Sequence, residues 1–395
     1  MVKQEMKCVN LRRNTSCARF KARFLSFVAF ALLLGMCAGC GGTPAGGGTI
    51  TPPAGGAAFD PGAQFDSLWN NFDQNYSYFA YKNIDWNALN TTFRPMALQT
   101  TDEASLVAVL TQMLAQLHDQ HVKFTDPSGN QTPTFVPTVF DNWNLGVWQQ
   151  YMTAASAVQV QPGLVTATLS GAPYITVGAW GGTQVDIAHL DSVIDANQSA
   201  SSLIIDVRMN SGGDEQVAYQ FAGRFTTQTR TPTGFNQFRD GPLHTDFGSL
   251  TADTVTPRGS FQFTKPVYLL IGRLSASSTE DFISAMRELP NVTAVGDTSA
   301  GSSGNPLSFT LGGGWTYTVS HWIDYTAEQQ VIEDQGIAPA MFVPVTASDF
   351  QQGKDPVLDF AVAEANGTPS AKNIRGRQSL YRALALPPAP IWTKR

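Results

Sequence analysis

Beyond residue 40 the chain has no cysteine. Cys8, Cys17, Cys37 and Cys40 all fall in the first forty positions, so no disulfide framework can staple the rest of the chain. Histidine is nearly as scarce, with five in 395 residues, two of which, His118 and His121, stand three positions apart. Basic charge is also short. Residues 1–39 carry seven of the 25 Lys/Arg and one of the 31 Asp/Glu, so the remainder has a net charge of −12. Such a chain lacks the basic patches that nucleic acid requires, which excludes that class of partner. Gly181-Gly182 and Gly312-Gly313-Gly314 do not have dinucleotide-binding spacing, and no internal repeat is visible. Around His118 and His121 only Asp119 could add to a metal ligand set, so neither a metal nor another cofactor is expected.

Apolar residues make up 43% of the chain, including eight Trp and 24 Phe, enough for a sizeable core. The length exceeds the roughly 100–200 residues of one domain, so one large or two smaller domains are expected. Arg12, Arg13, Arg19, Lys21 and Arg23 precede an apolar run from Phe24 to Met36, about as long as a signal-peptide core and too short to span a bilayer comfortably. The run ends in Cys37-Ala38-Gly39-Cys40, which resembles a bacterial lipoprotein cleavage box with Cys40 as the lipidated residue; a cleaved secretory signal is the other reading. Residues 1–40 are thus expected to be a lipoprotein signal peptide and 41–58 a Gly/Pro/Thr linker. The lipid anchor would place the chain at a membrane of the bacterial cell envelope, on the outer membrane or periplasmic face.

From 59 to 125 the apolar spacing predicts a helical subdomain. Phe65, Leu68, Trp69 and Phe72 lead into Tyr76, Tyr78 and Phe79; Asp85 is a plausible N-cap, and Thr101-Asp102-Glu103 opens an amphipathic helix through Leu117. That helix ends at the Leu117-His118-Asp119-Gln120-His121 turn, before a short strand Val122-Lys123-Phe124. Between 126 and 366 the pattern alternates. Short strands are expected at Leu145–Trp148, Leu164–Thr168 and Pro173–Val177, a helix at Ile187–Ala196, and strands buried on both faces at Ser202–Arg208 and Val267–Ile271. A strand at Val292–Gly296, a hairpin over Leu307–Val319, a compact turn at Val331–Pro339 and a helix over 355–366 complete it, and 367–395 reads as a tail. Strand–helix–strand succession argues for an α/β core with parallel strands.

Two stretches can carry chemistry. Ser275-Ala276-Ser277-Ser278-Thr279-Glu280 joins the strand Val267–Ile271 to a helix. A serine there has unpaired helix N–H groups beside it, as a nucleophile requires, although a helix cap uses the same residues. Asn210-Ser211-Gly212-Gly213 follows the other buried strand and can turn backbone N–H groups toward a ligand, or simply form a turn.

Together, the aromatic front, Leu117-x-Asp119-x-His121, Ile204-Ile205-Asp206-Val207-Arg208-x-Asn210-x-Gly212-Gly213, Ser275-x-Ser277-x-x-Glu280 and Glu333-x-x-Gly336-Ile337-x-Pro339 stand in the order found in a known family. From Phe65 to Val345 the chain resembles the tail-specific (C-terminal processing) and tricorn-core serine peptidases. The resemblance implies a crotonase-like α/β core with a mixed sheet behind a helical N-terminal subdomain. It makes Ser277 the nucleophile, with Ser275 the runner-up. The processing branch has its lysine base 25 residues on, where this chain has Ser302, and no lysine lies between Lys265 and Lys354. The tricorn-like branch implies His121 as base, oriented by Glu333; should loss of His121 leave the rate unchanged, Lys123 or His118 is the base instead. Gln120 stands where that branch has Ser, and Ala340 where it has Asp. Residues 126–168 are too few for a PDZ module, which points to the tricorn-like or retinoid-binding-protein-like branch.

The activity implied is hydrolysis of a peptide or unfolded protein through an acyl-enzyme, with the N–H of Ser278 and that of Gly212 or Gly213 holding the oxyanion. The alternatives are a catalytically silent binder of peptides or apolar ligands and a structural envelope lipoprotein. Oligomeric state is left open.

Overall fold

Side-chain caps set the helix starts. In the computed structural model, which describes residues 58–368, α1 (Pro61–Asn75), α2 (Trp86–Ala97) and α3 (Glu103–Leu114) begin where Asp60, Asp85 and Asp102 accept the N–H groups of Ala63, Ala88 and Ser105. The signal segment, Cys40, nearly all of the linker and the tail from 369 lie outside the described residues. After α3 come β1 (Lys123–Thr125), β2 (Gln131–Pro133), α4 (Leu145–Ala154), β3 (Val158–Gln161), β4 (Leu164–Leu169), β5 (Ala172–Val177), α5 (Ile187–Ala196) and β6 (Leu203–Asp206). The next elements are α6 (Glu215–Ala222), β7 (Gly234–Phe238), β8 (Thr251–Ala252), β9 (Val267–Ile271), α7 (Ser278–Arg287) and β10 (Val292–Gly296). The chain closes with β11 (Leu307–Gly312), β12 (Trp315–Val319), β13 (Trp322–Thr326), β14 (Met341–Phe342), α8 (Ala347–Gln351) and α9 (Pro356–Ala365).

The main sheet runs β14-β10-β9-β6-β5-β4-β3 and is mixed: parallel from β14 to β5, antiparallel for β4 and β3. All of β6 is buried, Leu203, Ile204 and Ile205 as apolar side chains and Asp206 through its pairing with Arg208. Leu203, Ile205, Leu269 and Ile271 pack with Phe221 of α6 and Phe282 of α7 in one core. Arg208, just past β6, is fully buried between Asp206 and Asp355, each bonded twice at 2.7–3.0 Å, so α9 is tied to the strand end. The Asp-x-Arg part of the motif is therefore structural.

Three features differ from the sequence reading. Residues 145–148 open α4 rather than a strand, because Asn144 caps the Val147 N–H and Val147, Trp148 and Met152 are buried at helical spacing. Helix α1 stops at Asn75 with Tyr76 as its extended C-cap, and Ser77 to Asn83 form turns instead. Finally, a boundary at 125/126 would cut a sheet of order β11-β12-β1-β2. Tyr317 and Val319 share a core with Phe65, Leu68 and Phe72, so the late hairpin belongs with the helical front.

Candidate active site

Parallel strands deliver their carboxyl ends to one edge, where loops can meet. The turns after β6, β9 and β10 meet there: Ala276 N–H donates to Asn210 O at 3.1 Å, and Ser277 N–H to Ser302 O at 2.8 Å. Ser277 sits between β9 and α7 with φ 58° and ψ −134°, a conformation an L-residue holds only at a cost of about 1–3 kcal/mol. Strain of this kind gathers at functional positions, which shifts weight from the helix-cap reading toward the nucleophile reading. Ser277 is half-buried, so its hydroxyl is not sealed away. Ser275, the runner-up, is fully buried; its hydroxyl donates to Val207 O and accepts the Gly272 N–H, which leaves it no chemistry.

Gly212 lies directly against the serine. A Cβ on Gly212 would stand 2.7 Å from Ser277 Cβ and 3.2 Å from its Oγ. Its N–H, expected to be an oxyanion donor, is instead taken by Asn210 Oδ1 at 2.9 Å, so Gly212 contributes clearance rather than a hydrogen bond. Gly213 holds the turn against β5's extension: Trp180 N–H donates to Gly212 O, Ser278 Oγ donates to Gly213 O, and a Cβ on Gly213 would lie 2.1 Å from Trp180 O. In the first turn of α7 the N–H groups of Thr279 and Glu280 close onto Ala276 O and Ser277 O, which singles out that of Ser278 as the donor beside the nucleophile.

Glu280, three residues past Ser277, is fully buried and gathers the 299–302 loop. It accepts from Ser299 Oγ at 2.6 Å and from the N–H groups of Gly301 and Ser302 at 2.8 Å. Burial pushes its carboxyl up to about 8, and those three donors oppose the rise.

His121 comes from the turn after α3. Asp119 Oδ1 accepts its N–H at 2.7 Å, and its Nδ1 lies 3.1 Å from Ser302 Oγ. Burial lowers its pKa below the usual 6.5, with Asp119 opposing and Lys123 and Lys82 adding to the fall, a shift that favours the uncharged ring. Ser302 thus touches both partners, with its carbonyl on Ser277 and its hydroxyl on His121. His118 and Lys123 hold no such place: the His118 ring packs on Phe135, and Lys123 lies in β1.

Glu333 is buried in the expected turn, yet its carboxylate goes elsewhere. Oε1 takes Lys82 Nζ at 2.6 Å and Oε2 takes the Ser303 N–H at 3.0 Å, whereas the imidazole's Nδ1 is on Ser302. Direct orientation of His121 by Glu333 is therefore replaced by bracing of the adjoining loop. Lys82, which sequence reasoning missed, also reaches His118 O and Asp334 Oδ1 at 3.0 Å each. Burial lowers the pKa of Lys82, but Glu333, Asp119 and Asp334 outweigh it and the net shift is upward; burial raises that of Glu333 against the pull of Lys82. At 2.6 Å, with a second carboxylate also on the ammonium, the contact is an ion pair.

From the same turn Tyr78 Oη donates to Ser303 O and Tyr81 Oη to Glu333 O, both at 3.0 Å. The aromatic front thus clamps the site's loops. A cavity of about 470 Å3 among α4, β4 and α9 contains none of these side chains.

The profile of Peptidase family S41 matches residues 173–343, and that of the Tricorn protease C1 domain matches residues 62–115. A protein from Parabacteroides merdae ATCC 43184, described as a candidate peptidase, superposes with a TM-score of 0.68 at 28% identity, covering 78% of this chain and 97% of that one. The structure of mature CPAF superposes with a TM-score of 0.59 at 11% identity, covering 78% and 98%, a likeness of fold alone. Among curated proteins, none matches this chain.

Proposed function

We propose that this chain, a serine-type peptidase of the tail-specific and tricorn-like S41 family, cleaves peptide bonds of unfolded or extended polypeptides with Ser277 as nucleophile and His121 as base. The observation that carries this reading is the strained, half-buried Ser277 joined through one residue, Ser302, to the half-buried imidazole of His121. A serine hydroxyl is a weak nucleophile at neutral pH, so a base must take its proton as it attacks the carbonyl carbon. With Nδ1 on Ser302, Nε2 is the nitrogen for that proton, which the imidazolium then gives to the leaving amine; water repeats the cycle on the acyl-enzyme. The Ser278 N–H would hold the oxyanion, with the Gly212-Gly213 backbone as its opposite wall. One such donor contributes about 3–4 kcal/mol in comparable sites. Glu333 acts at one remove, paired with Lys82 and bracing Ser303.

The test is hydrolysis of reduced, carboxymethylated casein by the purified full-length chain. Ser277→Ala should abolish it with the melting temperature unchanged, and His121→Ala should slow it by about 10²–10⁴. Full activity in either variant refutes its assigned role. A second reading, a silent peptide binder, is favoured by the Gly212 N–H being occupied; binding of casein without any cleavage would select it.

Tethering at an envelope membrane through Cys40 rests on the arginine-rich start, the apolar run and the Cys37–Cys40 box. Fatty-acid incorporation into the wild type that persists in Cys40→Ser would remove this part.

A further inference from the structure

Ser302 uses all three of its polar groups. Its N–H donates to Glu280 Oε2 at 2.8 Å, its carbonyl accepts the Ser277 N–H at 2.8 Å, and its Oγ lies 3.1 Å from His121 Nδ1. It is 4% exposed, and its neighbours hold it rigidly: Gly301 N–H goes to Glu280, Gly301 O accepts the Asp334 N–H, and Ser303 N–H goes to Glu333. These bonds fix the backbone of Ser302, and with it the place of the Cβ that carries the hydroxyl beside the ring. The carboxylate expected to orient the ring is spent on Lys82 and Ser303.

We propose that Ser302 is the positioning residue of the site, accepting the His121 Nδ1–H so that Nε2 carries the lone pair that receives the Ser277 proton. This deepens the peptidase reading and rests on it. A hydroxyl differs from a carboxylate in two ways that matter. It can also donate to Nδ1, which would place the proton on Nε2 and disable the base, so the direction of this hydrogen bond decides whether the site is competent. Being uncharged, it also stabilises the imidazolium less than an anion does, so the ring's pKa stays low after burial has lowered it.

Three measurements test this. In the wild type above pH 8, the ring ¹⁵N shifts of His121 (assigned by their loss in His121→Gln) should show a protonated Nδ1 and an unprotonated Nε2. The reverse tautomer overturns the proposal whatever the kinetics of the Ser302 variants. Ser302→Ala should lower kcat by about 10–100-fold with KM unchanged, since a charge-assisted hydrogen bond to the imidazolium is lost, and the acidic limb of the rate profile should move to lower pH. Ser302→Thr, which keeps the hydroxyl, should recover most of kcat. Wild-type kcat with an unmoved limb in a folded Ser302→Ala protein refutes the role of Ser302 and leaves the peptidase reading standing. A wild type that hydrolyses nothing, and whose Ser277 resists a fluorophosphonate, sinks the peptidase reading instead, and with it the catalytic use of Ser302, whatever the tautomer.

Discussion

Replacing Lys82 with Met should be the most destabilising single change near the site. The Lys82 side chain is 5% exposed and that of Glu333 2%, with 2.6 Å between the charges. Removing the ammonium leaves a buried carboxylate held by the Ser303 N–H, and it also strips His118 O and Asp334 Oδ1 of the lysine's hydrogen bonds. Breaking a buried pair in this way costs about 3–5 kcal/mol. The Asp334 contact adds little, because that side chain is 34% exposed and solvent screens it. For the roughly 310 described residues, an unfolding entropy of about 2 cal/mol/K per residue converts this to a fall in Tm of about 5–8 °C. Activity should fall as well, since Glu333 braces Ser303 beside the residue that holds His121. The double variant Lys82→Met/Glu333→Leu removes both charges and should regain most of the stability, because an apolar pair of similar volume can replace a buried ion pair at little cost. Thermal melts of the four proteins form a double-mutant cycle. A loss below about 1 kcal/mol in Lys82→Met, or a double variant no better than the single, would refute the buried-pair argument.

Other consequences are more local. Gly212→Ala places a Cβ 2.7 Å from that of Ser277 at φ +114°, so kcat should drop by at least about tenfold while the melting temperature shifts by a few degrees; unchanged kcat would mean the turn stands off the serine. The rate should rise with pH along an acidic limb whose midpoint lies below 6.5, because burial lowers the His121 pKa and only the neutral ring can accept a proton; a midpoint above 6.5 assigns the limb to another group. Asp281 and Asp324 are buried together, with Ser303 Oγ donating to Asp324. Burial and their mutual contact raise the pKa of Asp281, and burial lifts that of Asp324 to about 7. Groups raised in this way contribute stability that is fully present below the unfolded value near 3.8 and lost as pH rises through the folded one. Stability should therefore decline from about pH 4 to about pH 7, where Asp324 holds a proton in the folded state that it has lost in the unfolded one, by up to about 1.4 kcal/mol per pH unit, and Asp281→Asn should flatten the decline. An equally steep slope in that variant would clear the pair.

Much of the core was legible because burial and backbone geometry leave local marks. The apolar runs at Val267–Ile271 and Val292–Gly296 are strands with the bounds read from the pattern, and Ile187–Ala196 is the helix expected. The change from strand to helix pointed to a serine within Ser275–Glu280, and it was the family resemblance that singled out Ser277. The strands β7 and β13 pair through residues such as Asn236, Gln237 and Asp324, which carry no apolar alternation and so gave no signal. Lys82 was invisible for a different reason. It lies 251 positions from Glu333, and its only local mark is a lone charge in an aromatic stretch, Tyr76 to Ile84. The use of Ser302 was equally hidden. Its position could be counted from Ser277, but that its hydroxyl meets an imidazole 181 positions away depends on how the turn after α3 docks. The Gly212 N–H was misassigned because a glycine turn announces freedom of backbone, not which acceptor claims the donor.

The most direct check on the central claim is to locate a covalent adduct. The purified full-length chain is treated with a fluorophosphonate, digested with trypsin, and the peptide Leu274–Arg287 is sequenced by mass spectrometry. Stoichiometric modification is predicted at Ser277, absent from Ser277→Ala and much slower in His121→Ala. An adduct on Ser275, or none under conditions where the chain hydrolyses casein, would contradict the assignment of Ser277 as nucleophile.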